Sequence, residues 1–109
     1  MEIKAKFWVE NKGEVVLGSG KAALLLAVHE NGSIQGAAER FGMSYRHAWG
    51  IIRKMEQRAG FKFINAHAGG GEGKGAQLTA RGRNFLERFT RFEETLRKIT
   101  TEKFREIFT

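Results

Sequence analysis

Arg46, His47, Arg53 and Lys54 stand close together in one short stretch, Ser44–Ala59. Unrolled at 100° per residue, a helix over that stretch sets Arg46, Gly50, Arg53 and Gln57 on one side. His47, Lys54 and Arg58 flank that side on one edge, and Trp49 and Glu56 on the other. Guanidinium and ammonium donors on one helical face suit guanine N7 and O6 and phosphate oxygens. Catalytic chemistry finds less support. His29, His47 and His67 lie far apart, and the chain contains neither Asp nor Cys. No spacing suits a metal ligand set, a nucleophile triad or a thiolate site. The expectation is a protein that is not an enzyme and holds no metal and no cofactor. The glycine run AGGGEGKG (68–75) is the other candidate for holding phosphate. A Walker loop needs glycine at 68 and a hydroxyl at 75, where this chain has Ala68 and Gly75, so nucleotide binding is set aside.

Charge points the same way. The net charge is +7 over 109 residues. Residues 44–83 carry eight basic and two acidic groups, whereas residues 1–43 carry five of each. Basicity gathered on one motif marks a polyanion-binding face, with nucleic acid ahead of anionic membrane. The N-terminus lacks the apolar core of a signal peptide, and the longest apolar run, Ala22–Val28, is far shorter than a membrane span. These features, with the absence of cysteine, give an expectation of a cytoplasmic location and no membrane partner.

The elements that must position the basic stretch can be read in order. Lys4–Glu10 and Glu14–Leu17 read as a hairpin about the turn Asn11-Lys12-Gly13. Ser19 is expected to cap a helix over Lys21–Glu30, with Leu24, Leu25 and Val28 inward and Gly32 closing it. Ser33 caps a second helix, with Ala37, Ala38 and Phe41 at core spacing, and Gly42 ends it. Ser44 caps the third, which Gly60 stops. Ala37, Phe41, Met43, Ala48 and Ile51 fall at the inward positions of a helix-turn-helix; the alternative is an ordinary helical hairpin. Tyr45, Ala48, Ile51, Ile52, Met55 and Ala59 share the inner side of the third helix. Gly50, on its outer side, costs roughly 1 kcal/mol against alanine, which close approach of the backbone to DNA explains; a solvated face that tolerates glycine is the plainer reading. Phe61–His67 and Ala76–Thr79 read as two strands of a wing with the glycine run at its tip. Thr79 caps a last helix that opens with Arg81-Gly82-Arg83, whose charges oppose the helix dipole and suit a nearby phosphate. Phe85, Phe89, Phe92, Leu96 and Ile99 then form a heptad-like stripe, read as a dimer seam, with packing back on the first hairpin as the alternative. Thr100-Thr101 is a place where that helix is expected to break or bend, before Phe104, Ile107 and Phe108.

The run MSYRHAW, the glycine-rich wing and LTARG resemble the N-terminal DNA-binding domain of the molybdate-responsive regulator (ModE) family. More distantly, the stretch resembles the winged helix of LysR-type regulators. The resemblance spans roughly residues 20–109. It implies a dimeric winged-helix regulator of palindromic operators, with the helix after the wing making the dimer contact. Family members that sense molybdate carry a C-terminal oxyanion-binding domain. The present chain ends at Thr109, so no molybdate site is expected within it. The N-terminal hairpin reads as an addition to the family's usual helical start.

The fold expected is mainly α with small β (α+β): one winged helix-turn-helix domain over 1–109. It comprises a hairpin (1–18), a helix-turn-helix and wing (20–79) and a dimerisation helix (80–109). The function expected is sequence-specific binding of double-stranded DNA by a homodimeric transcriptional regulator, with residues 44–59 in the major groove and 61–79 on the backbone or minor groove. The DNA-contacting set is Ser33, Ser44, Tyr45, Arg46, His47, Trp49, Gly50, Arg53, Lys54, Lys74, Arg81 and Arg83. The competing function is an architectural DNA binder with the same charge and no base code.

Overall fold

The computed structural model describes residues 1–66 and 75–109. In chain order the elements are strands β1 (Trp8–Asn11) and β2 (Glu14–Gly18), helices α1 (Ser19–Asn31), α2 (Ile34–Arg40) and α3 (Tyr45–Ala59), strands β3 (Ile64–Ala66) and β4 (Ala76–Leu78), and helix α4 (Ala80–Phe108). Both strand pairs are antiparallel and stand as separate two-stranded sheets. The glycine-rich tip, with Lys74 and the end of the first wing strand at His67, lies outside the described residues.

Capping explains most helix starts. Ser33 Oγ accepts from Gly36 N, Ser44 Oγ from His47 N and Thr79 Oγ1 from Gly82 N, each at 2.8–3.0 Å. Each satisfies an amide that its helix leaves without an internal partner. α1 differs from expectation. Its cap is Gly18, with no side-chain hydrogen bond, and Ser19 lies inside the helix. There Ser19 Oγ donates to Glu93 Oε2 of α4 at 2.8 Å, a partner 74 residues away that outcompetes a local cap. Gly32 and Gly60 end α1 and α3 with φ of 72° and 84°, the left-handed conformation glycine adopts without strain. The first turn is tighter than the pattern suggested. Asn11 pairs with Glu14, and Lys12 (φ 53°) and Gly13 (φ 81°) alone make the bend.

The core gathers under α3. Leu17 of β2, Leu25 and Val28 of α1, Ala37 and Ala38 of α2, Ala48, Ile52 and Met55 of α3, and Phe63 are all fully buried. The alanines let α2 and α3 approach closely, and Met43 N donates to Ala38 O across the turn between them. Two residues assigned to the inner side face outward instead: Phe41 is 41% and Tyr45 43% exposed. Phe41 caps the end of α2 and Tyr45 is the first residue of α3, so both stand at helix ends.

The wing is anchored at its base. Ala76 N donates to Gly32 O, and Thr79 N and Oγ1 reach Phe63 O and Lys62 O. Strand β3 begins later than predicted, at Ile64: Phe61 and Phe63, ahead of it, pack into the core. They form an aromatic trio with Phe85 of α4, with ring centroids 4.8–5.7 Å apart. Gly82 makes this approach possible, since a Cβ there would lie 2.7 Å from Phe63 O and 2.8 Å from Phe63 Cα.

α4 runs unbroken through Thr100-Thr101 to Phe108. Threonine costs a helix only a few tenths of a kcal/mol, and here neither glycine nor proline adds to it. Within this helix the expected dimer stripe divides. Phe89 is buried and Phe85 half-buried in the chain's own core, whereas Phe92 is 65% and Ile99 46% exposed. Leu96 is half-buried. No helix among the described residues is long and apolar enough to cross a membrane.

Gly82→Ala is expected to lower stability by about 1–3 kcal/mol, the usual cost of overpacking, read as a shift of the urea midpoint. An unchanged midpoint would mean that α4 and the wing base separate without penalty.

Candidate nucleic-acid interface

Helix α3 places its charged side chains by two independent means. Its inner residues Ala48, Ile52 and Met55 fix its rotation about its own axis. Ser44 fixes where it begins. The outer side is left bare: Arg46, His47, Gly50, Arg53 and Lys54 are all exposed, and nothing lies within 4 Å of a Cβ built on Gly50. Ser44, Arg46, His47, Gly50, Ile51 and Lys54 line one shallow concavity of about 450 Å³. Among the described residues, none of these cations is paired with a carboxylate of the chain. Donors held in the open on a rigid helix can exchange water for base edges or phosphate without first breaking an internal ion pair.

The remaining site candidates lie in different settings. Tyr45 is exposed beside this face, so its hydroxyl is available to a ligand. Trp49 is half-buried and packed against the core. Ser33 is half-buried, and its hydroxyl is occupied by the cap. Arg81 and Arg83 open α4 and do not line the α3 concavity. The Arg81 guanidinium lies 4.2 Å from the centroid of the Phe61 ring. Arg83 Nη2 contacts His29 Nε2 at 2.7 Å. Arginine only donates, so Nε2 accepts and the imidazole proton sits on Nδ1, which is buried without a partner among the described residues. Both heads remain exposed at the surface.

Two residues that sequence reasoning set on the outer edges of α3 turn elsewhere. Glu56 Oε2 accepts from the backbone N–H groups of Phe63 and Ile64 at 2.9 and 3.1 Å. One carboxylate oxygen thus carries the start of the wing strand. Arg58 Nη1 donates to Val15 O at 3.0 Å, and its Nε lies 3.4 Å from Glu14 Oε2. No local signal marked either, because their partners follow only from the tertiary fold.

Residues 21–83, more than half of the chain, match the family described as bacterial regulatory helix-turn-helix protein, lysR family. The chain belongs to the LysR family. It is also similar to curated molybdenum-pterin-binding and molybdenum transport proteins. It is 32% identical over 83 residues to the molybdenum-pterin-binding protein MopB of Rhodobacter capsulatus, a match covering 76% of this chain and 31% of MopB. It is 35% identical over 77 residues to the molybdenum transport protein ModE of Azotobacter vinelandii, covering 71% of this chain and 28% of ModE. The chain therefore spans about a third of the length of these relatives. Among solved structures, the fold is shared with the CbnR DNA-binding domain in its DNA complex, at a TM-score of 0.61 and 24% identity over 83% of this chain and 97% of that one. It is likewise shared with CbnR, a LysR family transcriptional regulator, at a TM-score of 0.56 and 26% identity over 71% of this chain and 25% of that one. LysR membership and the winged-helix fold agree on a regulatory helix-turn-helix chain.

Glu56→Ala is expected to cost about 2 kcal/mol in unfolding free energy, since it leaves two strand amides without their charged acceptor. Glu56→Gln, which keeps a carbonyl acceptor, is expected to cost less. Equal stability of all three proteins in urea would show that the carboxylate does not hold the wing.

Proposed function

We propose that this chain binds double-stranded DNA in a sequence-specific manner as a homodimeric transcriptional regulator of palindromic operators, acting in the cytoplasm. The observation that carries the reading is the bare outer face of α3, with Arg46, Gly50 and Arg53 displayed on a helix whose opposite side buries Ala48, Ile52 and Met55. Arg46, in the first turn, stands where a helix-turn-helix meets base edges, with Ser44, Tyr45, His47 and Arg53 beside it. Gly50 removes a side chain at mid-helix, so the backbone can approach the groove floor. Lys54, Lys74, Arg81 and Arg83 supply phosphate contacts, and Ser33 and Trp49 lie at the margins. The outer part of the α4 stripe, exposed Phe92 and Ile99 with half-buried Leu96, makes the dimer seam. Phe85 and Phe89 begin the same stripe and lie mostly in the chain's own core. Two copies joined along a two-fold axis present two α3 helices to two half-sites, which is the geometry a palindrome requires.

Selection from random duplex DNA, followed by competition of the selected site against random duplex, tests the reading. A preference of at least ~10³-fold is expected for a specific binder. Equal affinity would favour an architectural binder. On the selected site, Arg46→Ala is expected to cost about 1–3 kcal/mol and to relax one base position. An unchanged base profile would remove Arg46 from the reading set. Phe92→Asp places a charge in the seam and is expected to convert dimer to monomer in sedimentation equilibrium. A persistent dimer would place the seam elsewhere.

A further inference from the structure

The recognition helix is gripped at the end that does not meet DNA. Arg58, in the last turn of α3, is half-buried under the first hairpin. Its guanidinium donates to Val15 O at 3.0 Å and pairs with Glu14 at 3.4 Å. The hairpin answers in kind: Asn11 Nδ2 donates to Arg58 O at 2.8 Å. That carbonyl belongs to the final helical turn, where no intrahelical amide reaches it. One residue of α3 therefore both donates to and accepts from the same hairpin, through groups at opposite ends of its side chain and backbone. The segment that leads into the hairpin is moored to α4, through Arg97 Nη1 donating to Ala5 O at 3.1 Å. A lever held this way has its far end set by the hairpin, and its near end carries Arg46.

We infer that Arg58 is a positioning residue for DNA reading: clamped by Asn11 and Val15 of the N-terminal hairpin, it sets the angle at which α3 enters the groove and so governs discrimination between sequences without touching DNA. The inference rests on the sequence-specific reading above. It also separates Arg58 from the basic residues around it. A cation on this helix would ordinarily be counted as a phosphate contact, and the two roles leave different signatures. A phosphate contact contributes to every sequence alike and adds about one unit to the salt slope. A positioning residue contributes only where the donors of α3 must meet particular bases.

The test compares Arg58→Ala and Asn11→Ala with the parent protein on the selected site and on random duplex, each across a salt titration. Asn11 is exposed and uncharged, so its replacement loosens the same clamp without removing a cation and with little risk to folding. Both variants are expected to lose about tenfold in preference for the selected site, the scale of one mismatched base pair. Their random-duplex affinity and salt slope are expected to match the parent. Loss of random-duplex affinity with a slope shallower by about one in Arg58→Ala alone, Asn11→Ala being silent, would make Arg58 a phosphate contact and overturn the inference. Full retention of preference by both variants would overturn it as well. If Arg58→Ala does not fold, Asn11→Ala alone decides the matter. A parent protein with no preference would fail the sequence-specific reading itself, and the clamp with it.

Discussion

Helix α3 is fastened by its last turns and offered by its first. Glu56 receives the backbone of the wing strand, and two residues later Arg58 grips the N-terminal hairpin. Everything the helix can do for a ligand follows from that arrangement. Side chains that read base edges must arrive within hydrogen-bonding distance, and such bonds weaken steeply with distance and angle. A helix held only by its apolar face could slide or tilt. Directional bonds to two separate elements at one end remove that freedom, while the other end stays open to solvent. The wing hangs from the same helix, so the two candidate contact elements keep a fixed spacing.

The parts of this fold that were legible in sequence are those decided locally. Ser33, Ser44 and Thr79 announce helix starts because a hydroxyl three residues before an unpaired amide has one obvious use. Gly32 and Gly60 announce helix ends for an equally local reason. Ala37, Ala38 and Ala48 mark the close crossing of two helices, and the bare face of α3 follows from counting residues around a cylinder. What escaped was decided at a distance. Ser19 looked like a cap until Glu93 claimed its hydroxyl. Glu56 and Arg58 looked like ordinary charges on a solvated edge, because their partners are backbone groups of other elements, invisible to any pattern of side chains. Gly82 carried no signal of its own in the sequence, whereas it is the gap through which Phe63 meets α4. Phe41 and Tyr45 stand at the ends of α2 and α3, where a helical repeat does not guarantee cover.

The last helix shows how one apolar stripe can serve two masters. Its first two phenylalanines are taken into the chain's own core: Phe85 joins Phe61 and Phe63, and Phe89 is buried one turn farther on. Farther along, the N-terminal segment still reaches α4 through Ala5 O and Arg97, yet Phe92 and Ile99 stay exposed. A period of four and three residues reports that a face is apolar; it does not report where the neighbouring chain stops covering it. Exposed apolar side chains at helical spacing mark a candidate contact face. LysR membership agrees with the first part of a division between head and joining helix, a regulatory helix-turn-helix; the joining role of the last helix is the proposal made above.

The central claim is that the outer face of α3, from Ser44 to Lys54, is the surface that meets DNA. Amide NMR spectra recorded while the selected duplex is added test this most directly. The account predicts that the largest shift changes fall on residues 44–54, with smaller ones at the start of α4 and little change at the hairpin tip from Asn11 to Glu14. Changes confined to α4 or to the hairpin, with residues 44–54 unmoved at saturating duplex, would contradict it.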